Sequence, residues 1–278
     1  MNIKEVLKNG IEKLNENNIE DASLKAKMLL SEILEMKKEY LLIHEEEIMD
    51  VPDINTFFEK IDRLVNNEPI QYILNRQDFM GLNLYVDNNV LIPQPDTEIL
   101  VEEVIEIAKD REEGLKILDM CTGSGAIAIS LARYIKESKV YATDISEAAL
   151  EIAKDNALKN ITDITFVKSD VFDKVEEKEF DIIVSNPPYI ESDVIKTLSK
   201  EVQNEPHIAL DGGTDGLYFY RKISKEAISY LKDGGYIAFE IGYNQREQVE
   251  NLLREYGYKN IYSKKDLGGN DRVVIGQK

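Results

Sequence analysis

The sequence predicts an α/β protein built on a mostly parallel, doubly wound sheet, preceded by a small helical domain and a β-hairpin linker. Three observations predict this. From residue 97 onward, short apolar runs alternate with amphipathic helical segments, the pattern of a parallel sheet covered on both faces. The first of those runs ends in a glycine-containing turn that opens a helix, as in nucleotide-type binding loops. The first 75 residues carry helical periodicity alone.

In residues 1–75, Ile3, Val6, Leu7, Ile11 and Leu14 share one helical face. Leu29, Leu30, Ile33 and Leu34 do the same in a second segment, and Phe57, Phe58, Ile61 and Leu64 in a third that opens after Pro52 and Asp53. These stripes are packing surface. A domain of this size and composition is assigned to docking a partner or substrate. Residues 76–95 change character: Leu82, Leu84 and Val86 alternate, Asp87-Asn88-Asn89 reads as a turn, and Val90-Leu91-Ile92 follows, so a hairpin is expected there. Pro93 and Pro95 stiffen the approach to the next helix.

Residues 96–278 form the expected sheet domain. Strands are predicted at 116–120, 140–143, 164–167, 180–184, 236–240 and 272–275. Helices are predicted at 126–134, 147–158, 217–231 and 245–256.

With 278 residues and 43% hydrophobic content, the chain can bury one large core and a smaller second one. Its 34 basic and 53 acidic side chains leave a net charge of −19, which disfavours non-specific nucleic-acid binding. A single cysteine, Cys121, excludes an intramolecular disulfide, and two histidines offer no zinc-site spacing. The N-terminus lacks the apolar stretch of a signal peptide, and no run is long enough to span a bilayer. A cytoplasmic location without membrane partners is the expectation.

The first strand of the sheet domain runs into Asp119-Met120-Cys121-Thr122-Gly123-Ser124-Gly125-Ala126. Gly123 and Gly125 permit a tight turn and close approach of a ligand to the backbone. The helix that follows favours a negative group at its N-terminus. Asp144 ends the second strand about 20 residues further on, where a carboxylate can bind ribose hydroxyls. Gly123, Gly125, Ala128 and Asp144 fit a nicotinamide dinucleotide as well as a sulfonium cofactor. Asp119 leans toward the sulfonium, whose charge it can balance while orienting loop amides. Alternatively, the glycines merely close a turn and Asp144 caps the next helix. Asp170 follows the third strand, where it can bond the amino edge of an adenine while Val171 or Phe172 covers the ring. A turn aspartate with two core residues is an equally good reading. Cys121 is read as a small turn residue, not a nucleophile.

The fourth strand runs into Asn186-Pro187-Pro188-Tyr189. The double proline ends the ladder because proline donates no hydrogen bond. Ligands of open α/β sheets bind beyond the carboxyl ends of strands where the strand order reverses. An amide or aromatic amino nitrogen is a poor nucleophile because its lone pair is delocalised. The Asn186 side-chain oxygen and the Pro187 carbonyl can accept its two N–H groups, hold it in place and stabilise positive charge as it develops. Tyr189 can pack on the flat face of the acceptor. No strong base is needed, because the nitrogen becomes acidic only as the new bond forms.

Beyond these motifs, the chain resembles the release-factor glutamine methyltransferases over nearly its whole length. The resemblance is carried by Glu68 to Ile73, Phe79 to Leu82, Leu91 to Glu98, Asn186 to Tyr189, Glu205-Pro206, Leu210 to Leu217, Asp266-Leu267 and Asp271-Arg272. It implies a class I methyltransferase fold, S-adenosylmethionine as cofactor, and methylation of the glutamine side chain in the Gly-Gly-Gln loop of peptide chain release factors. It carries a cofactor role to Cys121, Thr122, Gly123, Ser124, Gly125, Asp144, Val171 and Asn186, and an acceptor role to Asn186, Pro187, Pro188 and Tyr189. It sets the nicotinamide reading aside. Gln94 departs from the arginine usual in the family, and Val171 from the large aromatic of some members. Adenine-N6 nucleic-acid methyltransferases share the Asn-Pro-Pro-Tyr tetrad but not the flanking segments, and the net charge argues against that alternative. A non-catalytic binding module is disfavoured by the intact tetrad.

Overall fold

The computed structural model describes residues 1–109, 111 and 114–278. The chain divides into two compact units, Met1–Arg76 with Ser199–Asn204, and Gln77–Leu198 with Glu205–Lys278. A boundary at residue 96 therefore does not separate them. The hairpin segment from Gln77 groups with the sheet, and Ser199–Asn204 groups with the helices.

In the first unit, helices span Ile3–Glu16, Ala22–Ile33, Tyr40–Ile43, Val51–Val65 and Ile70–Leu74. Asn2 and Glu5 cap the first reciprocally, side chain to backbone in both directions. Pro52 sits in the first turn of Val51–Val65, where a missing N–H costs nothing. The apolar stripes meet in one core of Val6, Leu14, Leu29, Leu30, Phe57, Ile61 and Leu64. Gly10 permits the closest approach: a Cβ there would sit 2.6 Å from the Phe57 ring. The short helix Lys200–Gln203 joins this unit through Lys25–Glu201 at 3.1 Å, and Asn204 donates to the Asn67 carbonyl at 2.7 Å.

The second unit opens with a hairpin of β1 (Gln77–Phe79) and β2 (Leu82–Leu84). Its turn is Met80-Gly81, both at positive φ. The expected hairpin turned at Asp87–Asn89 instead. A turn does form there, but residues 90–92 make no strand, because Val90 and Ile92 are drawn into the interior and the Ile92 amide donates to Glu205.

A seven-stranded sheet follows: β3 (Lys116–Met120), β4 (Lys139–Asp144), β5 (Ile164–Lys168), β6 (Phe180–Ser185), β7 (Leu231–Glu240), β8 (Lys259–Lys265) and β9 (Asp271–Gln277), in the order β5-β4-β3-β6-β7-β9-β8. The first five are mutually parallel, and β9 runs antiparallel to β7 and β8. Alternation along the strands sends Ile117, Ile182 and Val184 to one face, under helices Pro95–Lys109 and Ala126–Tyr134. Leu118, Ile183 and Phe239 face the other, under Tyr218–Ala227 and Arg246–Glu255. Buried on both sides, β6 is apolar except for Asp181 and Ser185. Edge strand β8 has no fully buried residue, and its lysines hide it from a reading by hydrophobicity.

Strand order reverses between β3 and β6. Met120 and Ser185 are register partners there, so the loop after β3 and the turn after β6 leave the sheet side by side.

Candidate active site

A cavity of about 210 Å³ opens beyond the carboxyl ends of β3, β4, β5 and β6. Of the residues singled out in the sequence, Cys121, Gly123, Asp144, Asp170, Val171, Asn186 and Pro188 line it. Asp119, Thr122, Ser124, Gly125, Pro187 and Tyr189 are not among the lining residues.

The loop after β3 is built from within. Asp119 is fully buried, and its Oδ2 accepts from the Thr122 hydroxyl at 2.6 Å and the Ala128 amide at 3.1 Å. It thus holds both ends of the loop, while Oδ1 is buried without a partner. Burial pushes its carboxyl up to about 7. Ser124 is buried, and its carbonyl accepts from Asn156 at 3.0 Å. Gly125, at φ +83°, lets the helix behind the loop pack tightly: a Cβ there would meet Ala153 at 3.1 Å. These residues shape the loop instead of facing the cavity.

Asp144 accepts from the Gly123 amide and the Ser146 amide, each at 2.9 Å. The cap of helix Glu147–Lys159 is Ser146, whose hydroxyl accepts from the Ala149 amide, so Asp144 is not the cap. Burial raises its pKa. Cys121 adopts φ +62°, and burial pushes its thiol well above the ordinary range, which removes thiolate reactivity. Val171 adopts φ +53°, a costly conformation for a β-branched residue, and presents its side chain at the cavity. Phe172 turns away and stacks on Tyr230, with ring centroids 4.3 Å apart. Asp170 is paired with Lys222 at 2.8 Å.

At the turn after β6, the Ser185 hydroxyl donates to the Met120 carbonyl at 2.6 Å. Asn186 Nδ2 donates to Thr97 Oγ1 at 3.3 Å. Among the described residues, neither Asn186 Oδ1 nor the Pro187 carbonyl accepts a hydrogen bond from the protein. The Tyr189 hydroxyl lies 3.3 Å from Glu240 Oε1, and burial raises its pKa. The Tyr189 carbonyl accepts from Gln245 Nε2 at 2.9 Å.

Several residues at the site escaped the sequence reading. Gly212 and Gly216 run under the turn, where Cβ atoms would fall 2.7 Å from Tyr189 Cα and 2.4 Å from the Tyr189 oxygen. Asn156, fully buried, binds the Tyr85 backbone through both ends of its amide, which brings Asn89, Val90 and Leu91 to the cavity. Thr143, Tyr218 and Phe219 also line it. No local motif marks Asn156 or Thr143. The paired glycines of Gly212-Gly213 were the one available signal for the loop.

The lining suits a ligand that carries both hydroxyls and an apolar ring. Asp144 supplies a carboxylate, and Val90, Leu91 and Val171 supply apolar walls. Thr143 is 1% exposed and its Oγ1 has no partner, so a buried hydroxyl stands ready for a hydrogen bond the protein does not provide. Among the described residues no cluster could hold a metal ion.

Fold and site together define an S-adenosylmethionine-dependent methyltransferase of class I. Family models described as the methyltransferase small domain and the PrmC N-terminal domain match residues 94–213 and 5–74. A release factor glutamine methyltransferase from Clostridium botulinum is 41% identical, with both chains covered in full. Another from Clostridium acetobutylicum is 40% identical, with 99% of this chain and 98% of that one covered. A methyltransferase structure from Pyrococcus furiosus superposes with a TM-score of 0.55 at 21% identity, over 79% of this chain and 98% of that one, a likeness of fold. The chain belongs to the release factor glutamine methyltransferase family.

Proposed function

We propose that this chain methylates the side-chain amide nitrogen of the glutamine in the Gly-Gly-Gln motif of peptide chain release factors. The observation that carries this reading is the pair of unengaged acceptors, Asn186 Oδ1 and the Pro187 carbonyl, beside a cavity suited to the cofactor. S-adenosylmethionine, when bound, supplies a methyl group on a positively charged sulfur that leaves as a neutral thioether. Cys121, Gly123, Asp144, Asp170, Val171 and Asn186 are assigned to its binding at the cavity, with Asp119, Thr122, Ser124 and Gly125 shaping the loop from behind.

The chain's own chemistry follows from the acceptors. Each takes one N–H of the incoming amide, which fixes the nitrogen and leaves its lone pair free to face the methyl group. As the nitrogen–carbon bond forms, positive charge grows on nitrogen, and both oxygens stabilise it. The nitrogen has then become acidic, and its proton is released to solvent water. Pro188 walls the cavity, and Tyr189 presents its ring to the flat amide while its hydroxyl stays on Glu240.

The helical domain, residues 1–75, is assigned to docking the protein substrate. Leu42, Ile43, Ile48 and Val51 are all well exposed there, which supports a contact surface. A cytoplasmic location fits such a substrate, and no helix among the described residues is long and apolar enough to cross a membrane.

The test is transfer of a labelled methyl group to an unmodified release factor. Label on the Gly-Gly-Gln glutamine is expected. Its absence, with cofactor bound, would reject the substrate assignment, and transfer to DNA or RNA would replace it.

A further inference from the structure

We infer that Gln245 is a positioning residue for the acceptor turn: by holding the Tyr189 carbonyl, it fixes the direction of the Pro187 carbonyl, one of the two groups assigned to grip the substrate amide. The inference rests on the role proposed above for Pro187.

Backbone N–H groups are half of what a turn can be anchored by. Proline has none, so Pro187 and Pro188 can donate to nothing. Their rings fix φ, but rotation about ψ of Pro187 still swings its carbonyl. The direction of that carbonyl is therefore set by where the two ends of the turn are held. One end is Asn186, whose Nδ2 donates to Thr97 Oγ1 at 3.3 Å. The other is Tyr189, whose carbonyl accepts from Gln245 Nε2 at 2.9 Å. The same peptide plane donates on its opposite edge, from the Ile190 amide to the Leu210 carbonyl at 3.0 Å. Pinned on both edges, the plane cannot rock; without Gln245 one edge is free.

Gln245 is built for this contact. It precedes helix Arg246–Glu255 and makes no side-chain capping bond to it, so its side chain serves another part of the fold. It is 7% exposed. Its Oε1 accepts from the Gly242 amide at 2.9 Å, and Nε2 also donates to the Gly216 carbonyl at 3.3 Å. A backbone N–H only donates and a carbonyl only accepts, so the orientation of the Gln245 amide is unambiguous. Both N–H bonds of Nε2 are used, one on the turn and one on the loop beneath it. Two glycines make room. A Cβ at Gly242 would fall 2.9 Å from Gln245 Oε1, and one at Gly216 would fall 2.6 Å from Nε2. The Tyr189 hydroxyl, 3.3 Å from Glu240 Oε1, tethers the ring but not the peptide that follows it.

The experiment compares the wild-type chain with Gln245→Met, which keeps the length of the side chain and none of its hydrogen bonds. Three quantities are measured: steady-state methyl transfer to a release factor, binding of S-adenosylmethionine by calorimetry, and the carbonyl signals of Pro187 and Tyr189 in 13C,15N-labelled protein. The expected fall in kcat is about 10- to 100-fold, the effect of a slightly misplaced reacting group. Cofactor affinity should change far less, because Gln245 is not among the residues lining the cavity. Both carbonyl signals should move. A glutamine that only supported the fold would lower the unfolding midpoint in urea and leave kcat and the Pro187 signal at their wild-type values, and that result overturns the inference. If Gln245→Met does not fold, Gln245→Asn, an amide one carbon shorter, is judged by the same three measurements. If the wild type itself transfers no methyl group to release factors, the substrate assignment fails, and the Pro187 signal still decides for or against Gln245.

Discussion

The hydroxyl of Ser185 donates to the carbonyl of Met120 at 2.6 Å, across the β3–β6 pair where the order of the parallel strands reverses. That bond ties the last residue of β6 to the last residue of β3, so the acceptor turn and the cofactor loop begin from a common point. Ser185→Ala removes it and leaves a buried carbonyl short of a partner. The expected result is about 1 kcal/mol lower unfolding free energy in denaturant, with a fall in kcat larger than that loss alone explains. An unchanged kcat would show that the two loops keep their spacing without this link.

Asn186→Ala deletes one of the two proposed acceptors while sparing the loop after β3. Binding of cofactor, followed by calorimetry, should weaken far less than turnover falls, because the loop after β3 and Asp144 still line its cavity. Turnover should drop by about 10²- to 10³-fold, the usual effect of removing one preorganised transition-state contact. Equal activity in the two proteins would remove Asn186 from the mechanism.

Asp119 gives a stability prediction whose sign is set by burial. Its carboxyl is pushed up to about 7 from an ordinary value of 3.8, so the folded state holds the proton more tightly than the unfolded chain. Its contribution to stability is fully present below the ordinary value and is lost as pH rises through about 7. Asp119→Asn keeps an oxygen for Thr122 and Ala128 and has no charge to bury. In cofactor-free protein, the stability of Asp119→Asn relative to wild type should therefore improve between pH 4 and pH 8, by on the order of 2–4 kcal/mol. Parallel pH profiles from urea unfolding would contradict it.

Gly216→Ala tests the support beneath Tyr189. The new Cβ would fall 2.4 Å from the Tyr189 oxygen and 2.6 Å from Gln245 Nε2, at a φ of +66°. Strain of about 1–3 kcal/mol is expected from the backbone conformation alone. The displaced turn should cost kcat more than it costs cofactor affinity. Glycine 114, at φ +82° but with nothing within 4 Å of its Cβ, is the control: Gly114→Ala carries the backbone strain without disturbing the turn.

Much of this molecule is legible without coordinates, for a specific physical reason. A strand buried on both faces is largely apolar, so 116–120 and 180–184 stand out. A loop that turns tightly into a helix needs glycine, so 121–125 does too. A proline pair stops a ladder, which marks 186–189. The amino-acid order alone thus determined six of the seven strands of the large sheet and its two chemical loops, and carried the family resemblance.

Tertiary structure decided the rest, because hydrogen-bond partners distant along the chain leave no local trace. Nothing near Asp119 says that it bonds Thr122 and Ala128 and stays off the cavity. Nothing near Asn156 says that it gathers residues 89–91 to the site, and nothing near Glu240 says that it lies behind Tyr189. Edge strand β8 went unread because lysines cover it. Short-range periodicity reports which face of an element is buried, whereas the pairing of polar groups inside that buried space depends on which elements the fold brings together.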